Sequence, residues 1–273
     1  MGDHVPPHIV WLVDTNERIT TADRKLVEVW EIKHTCDPAT LSGWARHFRN
    51  QYCDDAEIDE LRVGTGLSRA EYLVSIKFPD PVNAPGPSIR SGDFGEILSA
   101  DYLEYILGYW TPRTRFSDKM IRNESPKGCD IIGFKFVKGD QESPNDSLAV
   151  FESKAQFSGT IPDRRLQDAV EDSIKDQIRK AESLNAIKQR LRYHGKLNEA
   201  CHVERFQNKE DKPYVEVSGA VALFCNSVYD AATIGKTSAT HHPNFANLIL
   251  LVIRGEKLMD LVGELYTRAA NEA

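Results

Sequence analysis

Three charged side chains, Asp130, Glu152 and Lys154, have the types and spacing for chemistry. They fall in two apolar stretches, residues 127–137 and 148–156, separated by a polar run rich in Gly, Pro, Asn and Asp that has turn chemistry. Folded as a β-hairpin about residues 141–142, the two halves bring Asp130 opposite or nearly opposite Lys154. Strand alternation then sets Glu152 and Lys154 on one face within reach of Asp130 and turns Ser153 away. Carboxylate oxygens of this kind bind Mg²⁺ or Mn²⁺, and an adjacent ammonium neutralises charge that develops on a phosphate. That is the chemistry of divalent-cation-dependent phosphodiester hydrolysis. The same three groups would equally make a cross-strand ion pair on a surface. Against that, Leu148, Val150 and Phe151 lead straight into Glu152, so the charges emerge from an apolar strand where an unpaired charge is costly.

The elements that must hold this hairpin are also visible. Residues 91–107 read as a helix with Phe94, Ile97, Leu98, Tyr102, Tyr105 and Ile106 on one broad apolar face, ending at Gly108. Glu96 lies beside that face, and Asp93-x-x-Glu96 matches a capping box. Cap and helper of a metal site are both open to Glu96. After the hairpin, Pro162 opens a helix running to about residue 193, with Leu166, Val170, Ile174, Ile178, Ala181, Leu184, Ile187 and Leu191 as its buried stripe. Its far end carries Lys188, Arg190, Arg192 and Lys196 with no acid from residue 183 to 198. These four are candidate contacts to DNA phosphates, or the cationic complement of a helix C-terminus. Residues 215–224 and 247–253 read as buried strands and 258–270 as a closing amphipathic helix.

Upstream, residues 27–33 alternate as a strand and 41–52 carry Leu41, Trp44, Ala45 and Phe48 at helical spacing. An acidic run at 54–60 reads as a solvated helix start, and residues 68–78 as a helix–strand step. Four prolines between residues 79 and 87 mark a linker. The expected division is therefore 1–85, an N-terminal α/β segment, and 86–273, the domain bearing the chemistry. Trp11, Trp30 and Trp44 with the acidic run offer a surface for a partner, or else the core of their own segment.

At 273 residues and 41% apolar composition the chain can bury a real core. The longest apolar run, residues 248–253, is too short to cross a bilayer. The first residues lack a basic, then apolar, leader. The five cysteines are scattered without a Cys-x-x-Cys, which fits reduced thiols in a cytoplasm and, with dispersed histidines, argues against zinc. A net charge of −7 is unlike a stand-alone nonspecific DNA binder and points to delivery of DNA by a partner. No P-loop, Rossmann glycine pattern or Gly-x-Ser-x-Gly elbow occurs, which leaves ATPase, dehydrogenase and hydrolase-triad readings without support.

The motifs at 94–98 (FGEIL), 127–134 (KGCDIIGF) and 151–155 (FESKA) resemble those of the HamA family, effectors of bacterial Hachiman anti-phage systems. The resemblance covers about residues 88–270, and Asp…Glu-x-Lys is the PD-(D/E)xK nuclease signature. It implies a mixed α/β fold with a restriction-endonuclease-like αβββαβ core, for whose first strand residues 109–116 are the candidate. It further implies a Mg²⁺- or Mn²⁺-dependent DNase whose partner is a HamB-like superfamily 2 helicase. Asp130, Glu152 and Lys154 would be catalytic, with Glu96 beside them, and Asp130 and Glu152 would hold the metal. The proline of the nominal PD motif is absent, since Cys129 precedes Asp130. A stand-alone restriction-type endonuclease and a non-catalytic adaptor are the competing readings.

Overall fold

A computed structural model of the chain describes residues 5–139 and 141–273. The leader reading at residues 1–4 and Asp140 of the hairpin turn lie outside them. The fold is mixed α/β, built on one six-stranded sheet. The chain runs through β1 (Leu12–Thr20), β2 (Leu26–Ile32) and α1 (Pro38–Tyr52), then the short helices α2 (Ile58–Leu61) and α3 (Arg69–Tyr72). Next come α4 (Gly86–Asp101), β3 (Ile131–Lys135), β4 (Ser147–Gln156) and the long α5 (Arg165–Tyr193). It closes with α6 (Leu197–Glu204), β5 (Val215–Cys225), α7 (Ala231–Gly235), β6 (Leu248–Gly255) and α8 (Leu258–Asn271).

Strand order is β1-β2-β6-β5-β4-β3, with parallel pairing from β2 through β4 and an antiparallel strand at each edge. Parallel strands need both faces covered, and the two central strands, β5 and β6, are accordingly mostly apolar. On β5, Val221 and Leu223 join the core under α1, α4 and α8, while Ala220, Ala222 and Phe224 face α5 and α7. Leu251 and Ile253 of β6 divide from Leu250 and Val252 in the same way. Each such fully buried side chain contributes about 1.5–3 kcal/mol. Glycine is required where β5 passes β4: Gly219 pairs with Phe151, and a Cβ there would enter the Phe151 ring.

The first 85 residues do not stand apart from this sheet. β2 runs parallel to β6 from Val27–Leu250 to Ile32–Gly255, and α1 packs on α8. Trp11 and Trp44 lie in the shared core, Trp44 only 1% exposed, and Trp30 is half-buried against Tyr102, so the three tryptophans form no exposed partner patch. The acidic run is spent internally: Asp55 binds Arg46 and Arg49, and Asp59 binds Arg62 and Arg69.

Four local expectations need correction. The proline-rich stretch leads directly into α4, which begins at Gly86 with Pro87 in its first turn, where a missing N–H costs nothing. Asp93 is therefore inside the helix and no cap. It accepts from Tyr52 Oη and Lys119 Nζ, both at 2.7 Å, and Glu96 is released from the capping-box role. Residues 109–116 form no strand. Trp110 alone pairs, with Phe134, and Pro112 follows without an N–H to continue the ladder. In the same way residues 68–78 stay helical through a π turn, Leu73–Lys77, instead of stepping to a strand. The α4 helix likewise ends in a π turn, Tyr102–Ile106, before Gly108 at φ +72° closes it as expected of a glycine there.

Candidate active site

β3 and β4 pair with Ile131 against Phe151 and Lys135 against Ser147. One residue beyond the ladder, Asp130 thus meets Glu152 rather than Lys154. The two-residue difference comes from the turn, where the buried Asp146 carboxylate accepts from Val137 N at 3.0 Å and Ser143 N at 2.9 Å and fixes its length. Alternation along β4 sends Ala149, Phe151 and Ser153 toward α4, where Ser153 Oγ meets Ser99 Oγ at 3.2 Å. Glu152 and Lys154 point to the α5 face, as expected, and Ser153 is turned away.

There Lys154 Nζ lies 2.6 Å from Glu152 Oε1 and 2.7 Å from Asp172 Oδ2 of α5. Burial works against the Lys154 charge, but Glu152 and Asp172 outweigh it and hold the ammonium above its ordinary value. Glu152 is 4% exposed and its second oxygen, Oε2, has no hydrogen-bond partner. Burial, and then the charge of Asp130, pushes its carboxyl up to about 8.

Asp130 and Glu96 are joined by a residue the motifs do not announce. Arg115 Nε donates to Glu96 Oε2 at 2.6 Å, and its Nη2 donates to Asp130 Oδ1 at 2.7 Å. The same guanidinium donates to Cys129 O at 2.7 Å and Pro126 O at 3.0 Å, fixing the turn that delivers Asp130. Burial opposes its charge, yet Glu96 and Asp130 raise it above its usual value, so it stays cationic. Asp130 Oδ2 accepts from Ser153 N at 3.2 Å across the hairpin.

These groups line a cleft of about 1240 Å³ whose walls include Glu96, Arg115, Asp130, Glu152, Lys154 and Arg179. The donor set is oxygen only, with one buried oxygen unspent on Glu152, which fits a hard divalent cation and not zinc. The structure thus brings Asp130, Glu152, Lys154 and Glu96 together. It does not bring Lys188, Arg190, Arg192 and Lys196 to the cleft. They occupy the last turn of α5 and the loop beyond it, where Lys188 bonds Gln207, Arg190 bonds Asp118 and Arg192 bonds Glu204. Basic side chains that do line the cleft are Arg115, Lys127, Lys154, Arg165 and Arg179.

Sequence reasoning missed Arg115, Asp172 and Asp176. The stripe read on α5 was out of phase at its centre: Ile178 is 84% exposed, and Ser173 and Asp176 are buried in its stead. Counting from both apolar ends, Leu166–Val170 and Leu184–Leu191, sets the buried face on Asp176.

Among the described residues no helix is long and apolar enough to cross a membrane. No curated protein matches the chain. The sequence model of the HamA family matches residues 7–269, and in that span lie the hairpin, both flanking helices and Glu96, Asp130, Glu152 and Lys154 of the cleft. The chain belongs to the HamA family, a component of Hachiman defence systems.

Proposed function

We propose that the chain is a metal-dependent DNase, the effector of a Hachiman complex with a HamB-like superfamily 2 helicase. The observation that carries this reading is the convergence of Asp130, Glu152 and Lys154 on one cleft, with Glu152 Oε2 buried and unspent. Asp130 and Glu152 would hold Mg²⁺ or Mn²⁺. Such an ion supplies an activated water and a Lewis acid for the phosphate. Lys154, steadied by Glu152 and Asp172, presents a fixed positive charge to the scissile phosphate as negative charge builds on it. Arg115 keeps Asp130 and Glu96 in register with the hairpin. Glu96, Asp130 and Glu152 are themselves buried or nearly so, which strengthens each of these interactions. Lys127 and Arg179, exposed and half-exposed on its wall, are suited to the phosphates flanking the cut.

The test is plasmid degradation by the purified chain, alone and with its helicase, in Mg²⁺ and after exhaustive EDTA treatment. Cutting that requires Mg²⁺ and is curbed by the helicase supports the effector reading. Unrestrained cutting in both arms favours a stand-alone restriction-type enzyme, and no cutting in any arm favours a non-catalytic adaptor.

A further inference from the structure

We propose that Asp176, at the middle of α5, belongs to the divalent-cation site and accepts from ion-bound water behind Asp130 and Glu152. The inference rests on the hydrolase reading above and adds to it a group that the nuclease motif does not contain. Asp176 is 2% exposed, and its carboxylate has no N–H or O–H donor, only the weak thiol of Cys129 as a neighbour. Its nearest cation, Arg179, stands 4.0 Å from Oδ1 and is itself half-exposed. A buried carboxylate left to so weak a donor is costly and rare.

Other buried aspartates of this protein are not left so. Asp93 is met by Tyr52 and Lys119, and Asp146 by two backbone N–H groups. Asp101 is met by His8, His47 and Arg113. Asp176 departs from that pattern, and it does so beside the second unspent oxygen of the region, Glu152 Oε2. The three acids share one neighbourhood: Cys129, the residue before Asp130, sets its Sγ 3.9 Å from Asp176 O, and the hairpin register sets Asp130 opposite Glu152. The two cations within the cluster are already engaged, Arg115 by Glu96 and Asp130, Lys154 by Glu152 and Asp172. What the cluster lacks is positive charge with hydrogen-bond donors attached.

A hydrated Mg²⁺ or Mn²⁺ supplies both, because such ions keep several waters when bound by one or two carboxylates. Direct ligation by all three acids is not how the site is built. Among the described residues, the one trio of donor atoms within 4.8 Å of each other is His8, His47 and Asp101, and Arg113 already occupies Asp101 there. Asp176 therefore acts one water removed, in the position from which outer groups orient a metal's ligands.

The experiment measures Mn²⁺ binding to the full chain by electron paramagnetic resonance, comparing wild type with Asp176→Asn, Asp176→Ser and Glu152→Gln. Removing an outer carboxylate should weaken Mn²⁺ binding by about 10–100-fold. Glu152→Gln should weaken it at least as much. In EDTA the Asp176 variants should melt no lower than wild type, because the uncompensated charge is gone. Wild-type Mn²⁺ affinity in both Asp176 variants, with Glu152→Gln impaired, overturns the assignment of Asp176. A lower melting point of both variants in EDTA overturns it as well, since Asp176 is then an anchor of the fold. Equal binding by wild type and Glu152→Gln overturns instead the cation-site reading beneath it.

Discussion

Arg115→Ala should cost more than any other single substitution in the cleft, and the structure sets the scale. The Arg115 side chain is 15% exposed, and those of its partners, Glu96 and Asp130, are 10% and 12% exposed. Truncation leaves two facing carboxylates in a low-dielectric site and strips the donors from the carbonyls of Pro126 and Cys129. Breaking a buried pair by removing one partner typically costs about 3–5 kcal/mol. For a chain of this size that is a fall in melting temperature of roughly 5–9 °C. Thermal unfolding in EDTA, followed by circular dichroism, reads the loss without help from a bound ion. Adding Glu96→Gln to Arg115→Ala should return about 1–3 kcal/mol, because neutralising one acid removes the repulsion that the first change exposed. An Arg115→Ala protein that melts within about 2 °C of wild type, or a double variant no better than the single, would refute the claim that this guanidinium balances the two acids.

Three further outcomes are expected. Glu152→Ala and Lys154→Ala should each lower DNA hydrolysis by about 10²-fold or more while the protein stays folded; wild-type plasmid cleavage by either removes the catalytic assignment. Without metal, stability should fall from about pH 5 to pH 8. Glu152 and Asp176 titrate at about 8 and about 7 in the fold but near ordinary carboxylate values when unfolded, so the unfolded chain releases their protons first. Melting temperatures in EDTA that rise across that window contradict the burial argument, and Mg²⁺ should flatten the slope. The full-length chain should co-purify with its helicase and cut less plasmid in its presence, and a chain that ignores the helicase in both assays ends the restraint model.

Strands β2 to β6, the long helix and the grouping of Asp130, Glu152 and Lys154 were legible because each depends on local signals, whereas β1 was not read and Glu96 was placed beside them by the family resemblance. Alternation and apolar runs set the faces of β4 and β5, and the Glu152-x-Lys154 spacing sets two charges on one face. What was not legible depended on partners distant in sequence. Whether Asp93 caps a helix is decided by the true start of α4 at Gly86, seven residues earlier, where Pro87 fits the first turn. Whether Trp11 and Trp44 face a partner or a core is decided by α4 and α8, which cover them. Asp130 was expected opposite or nearly opposite Lys154 and instead faces Glu152, because an Asp146 side chain, which turn composition does not announce, holds the loop.

Arg113 and Arg115 show how a site residue can hide in a segment read as a strand. Both are spent on α4: Arg113 donates to Asp101 and Glu104, Arg115 to Glu96. The five-residue step from Glu96 to Asp101 along a helix advances about 7.5 Å. An Arg-x-Arg lying along a helix can therefore meet acids at i and i+5, a spacing that neither the helical nor the strand period alone brings to notice. The match has a consequence for the N-terminal region. His8 and His47 hold the same Asp101 carboxylate as Arg113, at 3.0 and 2.9 Å. The first elements of the chain are thus bonded to the segment that carries Arg115 into the cleft. With β2 paired to β6 and Arg49 donating to Ala269 O of α8 at 3.0 Å, these elements support the half that carries the cleft rather than append to it. Deleting residues 1–85 would break the fold before it could report on a partner, so a helicase contact is better sought by substitutions on the exposed surface of the intact chain.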